Sequence, residues 1–208
     1  MAGIGLYGVY YSKGTLTDGV LTGYQGVQQM GKAISANFTR ATTGDDNDLW
    51  ANNGIAETDG QASSGGELEL NLDRLVQQAQ EDLFGLTADT KKVTVGGEEI
   101  TGSGISETGN EIANVVGVAF IRQHQEENDR GIHEAVIYAY VSFTQPDEEA
   151  QTIGADGVTW QTPTISGTVS GGAVTGTYPW RQKYRFPTQS AAVAYIQSVF
   201  AAPVTPGE

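Results

Sequence analysis

Two histidines are the first candidates for chemistry in this sequence, because it contains no cysteine to act as a nucleophile or a thiolate ligand. His124 and His133 lie on either side of the polar segment EENDRG. If two strands meet at that turn, the two imidazoles come near each other, but a zinc site needs a third protein ligand that the sequence does not place. We therefore predict solvated histidines close to a turn, and no metal site.

Three other patterns match reactive or binding motifs only in part. GIGLYG (residues 3–8) has dinucleotide-loop spacing, yet it opens a strand instead of joining a strand to a helix. A calcium loop counted from Asp46 would place Trp50 at an oxygen-ligand position and Ala51 at the glycine position. Pairs of neighbouring carboxylates stand in polar loops, where no buried surroundings would tune them for acid–base catalysis. These pairs are Glu98–Glu99, Glu126–Glu127 and Glu148–Glu149. The sequence thus predicts no enzyme and no cofactor.

The charge of the chain is strongly acidic. Twenty-five Asp and Glu residues against 11 Lys and Arg give a formal net charge of −14, which repels nucleic acid and ordinarily serves solubility. The acids are spread along all 208 residues without a break in composition, so we predict one domain over 1–208. No apolar run approaches the roughly 20 residues of a membrane helix, and the first residues lack the plan of a signal peptide. We expect no membrane partner and no export by that route.

Alternating apolar and polar residues predict two strands, 32–40 and 66–73, each with one packed and one solvated face. The residues expected in the core are Ile34, Ala36, Phe38, Leu68, Leu70 and Leu72. The residues expected on the solvated face are Ser35, Asn37, Thr39, Glu67, Glu69 and Asn71. Further strands are expected at 5–12, 115–125, 132–144, 157–169 and 176–186, with an antiparallel pair formed by 115–125 and 132–144 and a short hairpin around Gly96-Gly97.

Helical spacing of apolar residues predicts two short helices, 73–85 and 188–202. The residues expected to cap them are Asp73 and Gly85 for the first, and Thr188 or Ser190 for the second. The second helix carries an apolar stripe that should lie on the sheets. The stripe is Ala192, Tyr195, Ile196, Val199 and Phe200. The chain is therefore predicted to be a mainly-β antiparallel sandwich or barrel with flanking helices and an extended tail at about 203–208.

A long loop, about residues 42–65, separates the two alternating strands. Most of it reads DLWANNGIAETDGQASSGG, with the Asn, Gly, Asp and Ser content of a solvated turn region. Yet the loop contains Leu49, Trp50 and Ile55, and leaving a large aromatic side chain in water is unfavourable. Either the loop folds back on its own core or a second subunit buries the tryptophan, and the residues of the loop leave both readings open.

Six segments follow one another over nearly the whole chain. They are IGLYGVYYS, GKAISANFT, LWANNGIAET, ELELNLDRLVQQAQEDLFG, VTWQTPTISGTV and the C-terminal amphipathic helix. Each is short, but in this order they resemble the major tail protein of long-tailed, non-contractile bacteriophages and related prophages. The sequence departs from that family at Asn52 and Asn53, where acidic residues often follow the aromatic, and in residues 96–114, which have no counterpart in it.

The resemblance implies a tail-tube fold of two packed sheets, six copies in a ring, and rings stacked into a hollow tube that conducts the genome. It implies that the long loop contacts a neighbouring subunit or ring. The residues of that contact would be Asp48, Leu49, Trp50, Ala51, Asn52, Asn53, Gly54, Ile55 and Glu57. It also implies that the strands beside the loop line the lumen. The lumen residues would be Ser35, Asn37, Thr39, Glu67, Glu69 and Asn71. An acidic bore would keep passing DNA from sticking.

The resemblance further implies partners and a location. The partners are other copies of the chain, the tail terminator, tape measure and distal tail proteins, and phage DNA that passes without specific binding. The location is the virion, after synthesis in the host cytoplasm. The alternative function is a monomeric carbohydrate-binding β-sandwich that uses Trp50, Trp160 and Trp180 as stacking platforms.

Overall fold

The computed structural model describes residues 2–41, 47–51, 54–59, 65–126, 129–147 and 161–201. The protein is mainly β, with antiparallel sheets and two short α-helices, as the sequence predicts. The strands are β1 (Ala2–Thr17), β2 (Val20–Tyr24), β3 (Gln28–Gly31), β4 (Ala33–Arg40), β5 (Asn47–Ala51), β6 (Gly54–Asp59), β7 (Gly65–Leu72), β8 (Thr87–Val95), β9 (Glu98–Ser106), β10 (Val115–Glu126), β11 (Asp129–Thr144), β12 (Thr164–Ser170) and β13 (Arg181–Phe186). The helices are α1 (Gln77–Phe84) and α2 (Gln189–Val199), with a 3-10 helix at Gly172–Thr175.

Nine strands form one antiparallel sheet in the order β2-β1-β10-β11-β12-β7-β4. In addition, β3 pairs with β1, and β13 pairs with the first half of β11 while β12 pairs with its second half. The predicted pairing of 115–125 with 132–144 is confirmed as β10 with β11. The predicted hairpin at Gly96-Gly97 is confirmed as the separate sheet β8–β9, and both glycines have the positive φ of a tight hairpin turn.

The larger hydrophobic core lies inside the curve of this sheet. Side chains from β1, β3, β7, β10, β11 and β12 meet there, so the sheet wraps around them. The predicted alternation of β7 is confirmed, because Leu68, Leu70 and Leu72 are fully buried while Glu67 and Glu69 are exposed. Helix α1 contributes further buried side chains to the same core.

A second core lies between the outer face of the sheet and α2. Thr188 caps the helix by accepting a hydrogen bond from the N–H of Ala191, and Ala192, Ile196 and Phe200 are completely buried. The apolar stripe predicted for this helix is therefore confirmed. Gly117 on β10 makes room for it, since a side chain there would meet the rings of Phe200 and Tyr24 at 2.6 Å.

Two details of the sequence prediction are wrong. Ile34 was expected in the core but is 53% exposed, because the register of β4 shifts between Ala33 and Ser35 and brings Ala33 against the core instead. Helix α1 begins at Gln77, so Asp73 does not cap it. The carboxylate of Asp73 instead accepts a hydrogen bond from the backbone N–H of Lys32 at 2.8 Å.

The predicted strands 5–12 and 132–144 are longer in the structure, as β1 and β11, whereas the strands predicted at 157–169 and 176–186 are shorter in the part described. Strand β12 begins directly after Pro163 and lies between β11 and β7, while residues 157–160 fall outside the described part of the chain. Strand β13 occupies the second half of the predicted segment 176–186. The predicted tail at 203–208 also lies outside the described residues. No helix in the described residues is long and apolar enough to cross a membrane.

Candidate assembly site

The long loop predicted between the alternating strands contains a β-hairpin. Strands β5 and β6 pair with each other in a sheet of their own, with Trp50 opposite Ile55 and Ala51 opposite Gly54. Of the residues predicted to contact a neighbouring subunit, the hairpin strands contain Asp48, Leu49, Trp50, Ala51, Gly54, Ile55 and Glu57. Asn52 and Asn53 lie outside the described residues. Asn, Asp and Gly are favoured in tight hairpin turns as well as in loops, so the composition that indicated a loop also fits a hairpin.

A polar surface covers the outer face of β12, β7 and β4, and we call it the polar face. The strand register aligns it in three rows, which are Thr168, Glu67 and Thr39; Ser166, Glu69 and Asn37; and Thr164, Asn71 and Ser35. All six residues predicted for the lumen belong to it, and Glu67 and Glu69 are exposed. Asn37 donates to Glu69 across the strands at 3.4 Å, and Asn71 donates to Thr164 at 2.7 Å.

Sequence reasoning predicted the third strand of the polar face, within 157–169, but assigned no polar side to it. Thr164, Ser166 and Thr168 alternate with the buried residues Ile165 and Val169, which is the same signal that identified β4 and β7. The hairpin β5–β6 lies between β4 and β7 in the chain, so it is inserted between two of the three strands that carry the polar face.

A buried carboxylate that the sequence analysis did not single out lies on β11. Glu134 is 7% exposed and contacts Arg122, His124 and Arg185. Arg122 and Arg185 stand directly opposite it on β10 and β13. Burial by itself would raise the pKa of Glu134, but the hydrogen bond and charge of Arg122, helped by His124, outweigh it and lower that pKa. In the sequence, the position of Glu134 within the apolar run IHEAVIYAYV was the signal that could have indicated a buried carboxylate.

The two histidines do not form a site together. His124 stands opposite Ile132, and His133 stands opposite Gln123. Because Gln123 and His124 are consecutive in β10, their side chains point to opposite faces of the sheet, and so do those of the two histidines. The prediction that both are solvated is wrong for His124, whose side chain is 13% exposed because it packs against Glu134. Among the described residues, no group of three His, Asp or Glu side chains has an arrangement that could hold a metal ion.

The Glu134 cluster gives a prediction about stability. Replacing Glu134 by glutamine should lower the free energy of unfolding by about 1–3 kcal/mol near pH 7, because Arg122 loses a charged partner in a buried place. Since folding lowers the pKa of Glu134, its carboxylate stabilises the fold above the unfolded-state pKa of about 4.3, and this contribution is lost as the pH falls through the folded-state value. The difference between parent and variant should therefore shrink below about pH 4.

Urea unfolding at pH 7 and at pH 3 measures both effects. The matched control is Glu98→Gln, the same chemical change at an exposed carboxylate, which should stay within about 0.5 kcal/mol of the parent. An equal difference between parent and Glu134→Gln at both pH values would contradict the role given to this carboxylate.

No protein-family model matches the chain, and a search of curated proteins found no match to it.

Proposed function

We propose that the protein is a structural subunit of the tail tube of a long-tailed, non-contractile bacteriophage or prophage. Six copies form a ring, and the rings stack into a hollow tube through which the genome passes to the host. The protein then has no enzymatic role and needs no cofactor. The observation that carries the proposal is the polar face, a solvated three-strand surface, together with the separate hairpin β5–β6 that the chain inserts between two of its strands.

The polar face has the composition that a water-filled channel for DNA requires. Its nine residues are all polar, and its two charged residues are the carboxylates Glu67 and Glu69. DNA binding draws its strength from cations that neutralise phosphates, so a surface with carboxylates and no cations lets DNA pass. In the proposed tube this face lines the lumen. The partners would be neighbouring copies, the tail terminator, tape measure and distal tail proteins, and the passing DNA, with the virion as the location.

A carbohydrate-binding module has less support. A stacking platform needs an aromatic face open to solvent. Trp180 is half-buried, packs against the main core, and lies with its ring 6.1 Å from Phe38 and 6.0 Å from the guanidinium of Arg40. Trp160 lies outside the described residues. The side chain of Trp50 is also not described, so Trp180 is the one platform residue that can be judged, and its packing does not favour this alternative.

The direct test of the proposed function is the assembly state of the purified chain. Size-exclusion chromatography with light scattering over a concentration series, followed by negative-stain electron microscopy, should find rings or tubes of even width. A protein that stays strictly monomeric at high concentration, and that is retained on immobilised glycans, would contradict the proposal and favour the carbohydrate-binding module.

Replacing Trp50 by alanine should leave the monomer folded and impair the formation of tubes. Tryptophan is a frequent anchor of protein interfaces, and truncating such an anchor costs about 2 kcal/mol or more per contact. The loss is repeated at each contact around a ring, so the concentration needed for assembly should rise steeply. Circular dichroism checks the fold, and light scattering checks the assembly.

Trp50→Phe is the matched control, because it keeps an aromatic side chain and should retain most of the assembly. A Trp50→Ala protein that polymerises as readily as the parent would show that the hairpin makes no such contact. A Trp50→Ala protein that fails to fold would show that the tryptophan belongs to the core of its own subunit.

A further inference from the structure

Basic side chains gather on one part of this acidic protein. The chain has 11 Lys and Arg residues, and five of them come together on β4, β10 and β13. We call these five residues the basic patch. They are Arg40, Arg122, Arg181, Lys183 and Arg185. The pairing of β10 and β13 with β11 brings four of them to the same side of the sheet, where they surround Glu134, Val136 and Tyr138.

The basic patch has more positive charge than the carboxylates of the described residues neutralise there. Among the described residues, Glu134 is the carboxylate that pairs with it, through ion pairs with Arg122 and Arg185 and a contact with the imidazole of His124. Although Lys183 is exposed, partial desolvation of its ammonium group lowers its pKa, and the charges of Arg181 and Arg122 lower it further, which is the mark of a positive potential. Arg40, Lys183 and Arg185 are exposed, so a partner can reach them.

Aromatic rings lie beneath these charges. The guanidinium of Arg181 lies 4.7 Å from the ring centre of Phe38 and 5.5 Å from that of Tyr138. Arg40 lies over Trp180 at 6.0 Å. Phe38 and Trp180 are only partly buried, so the patch offers apolar area together with charge. It suits a partner that carries both carboxylates and apolar side chains.

The hairpin region combines carboxylates with apolar side chains, so its composition complements that of the basic patch. Residues 42–64 contain five acids and no lysine or arginine. The acids are Asp45, Asp46, Asp48, Glu57 and Asp59. The same segment contains Leu49, Trp50 and Ile55. Its strands β5 and β6 pair only with each other among the described strands, and an isolated two-stranded hairpin is marginally stable in water.

We propose that the basic patch of one copy binds the acidic β5–β6 hairpin of a second copy of this chain. The inference rests on the proposed function, and it adds the surface that receives the hairpin. Two different surfaces of one molecule that fit each other make a head-to-tail contact, and such contacts generate closed rings or filaments. Opposite charge fixes the register of the contact, while the aromatic rings beneath the charges take up the apolar residues of the hairpin.

Charge reversal on each side of the contact tests the pairing. The patch variant is Arg40→Glu with Lys183→Glu, two exposed positions, and the hairpin variant is Asp48→Lys with Glu57→Lys. Each variant alone should need at least about tenfold more protein than the parent to assemble, because the substitutions cancel most of the charge on one side of the contact. In an equal mixture, the unaltered patch can meet the unaltered hairpin, and the new glutamates can meet the new lysines, so assembly should return to near the parent concentration.

The matched control is Lys32→Glu with Lys91→Glu, which makes the same change of charge at two exposed lysines outside the patch. It should assemble like the parent. Parent protein that forms rings or tubes, together with a mixture that does not recover, would overturn the pairing and leave the proposed function in place. Parent protein that never assembles would overturn the proposed function as well.

Cross-linking of unaltered protein gives a second readout that does not depend on folded variants. Assemblies are grown from an equal mixture of ¹⁴N- and ¹⁵N-labelled chains and treated with a carbodiimide, which joins lysine to carboxylate without a spacer. Links between Lys183 and an acid of residues 45–59 should appear in mixed-label peptides. If such links join only peptides that carry the same label, the hairpin lies on the patch of its own chain and the proposal is wrong.

Discussion

Replacing Ile196 by aspartate is expected to abolish folding. Ile196 is completely buried between α2 and the sheet, in a core that includes Ile121, Ile137 and Phe200. The change removes apolar burial and places an unpaired carboxylate in apolar surroundings. Buried unpaired charges are among the few causes of losses above about 4–5 kcal/mol, against a total stability of about 5–15 kcal/mol for most proteins.

Far-UV circular dichroism and urea unfolding measure this outcome. The matched control is Gln197→Asp, which introduces the same group at the next position, where the side chain is exposed. An acid near the end of a helix costs about 1 kcal/mol or less, so the control should fold. A soluble Ile196→Asp protein with the spectrum of the parent would show that α2 does not pack on the sheet as described.

The sequence predicts correctly those elements in which the spacing of apolar residues matches the face that is buried in the fold. The stripe of α2 and the alternation of β7 follow from spacing alone, because each element has a single buried face. The prediction fails at Ile34 because one extra residue in β4 changes which side chain faces the core. A bulge is set by the pairing of two distant strands, and no pattern within β4 shows it.

The Glu134 cluster and the basic patch could not be predicted for a related reason. Arg185 comes opposite Glu134 only because β13 pairs with β11, and these residues are about 50 positions apart in the chain. A helix or strand pattern reports which face of an element is buried, but not which elements become neighbours. The polar face was found in part, since β4 and β7 were recognised, whereas β12, which pairs with β7, was not assigned a face.

Reversing the charge of the polar face, with Glu67→Lys and Glu69→Lys, is expected to leave tubes intact and to hinder the passage of DNA. Both residues are exposed, and the side chains opposite them on β4 and β12 are uncharged. The new lysines therefore meet no cation across the strands, and the fold should tolerate them. In a water-filled bore, salt also screens the repulsion between copies of the same residue around the ring.

The effect on DNA follows from the physics of phosphate binding. Each lysine that neutralises a phosphate releases counterions, and it adds about one to the slope of log affinity against log salt. Six copies would place many such cations around one section of the bore, so DNA should be held there and released as the salt concentration rises. Phage that carry the double change should have tails of normal length and width, with genome ejection reduced most strongly at low salt.

The matched control for this experiment is Glu98→Lys with Glu99→Lys, because it makes the same change of charge at two exposed residues of β9, outside the polar face. If both double variants slow ejection equally, the effect comes from net charge and not from the lumen. If the polar-face variant ejects its genome normally from normal tails, Glu67 and Glu69 do not face the DNA. Only a loss confined to the polar-face variant, and relieved by salt, places these carboxylates along the path of the genome.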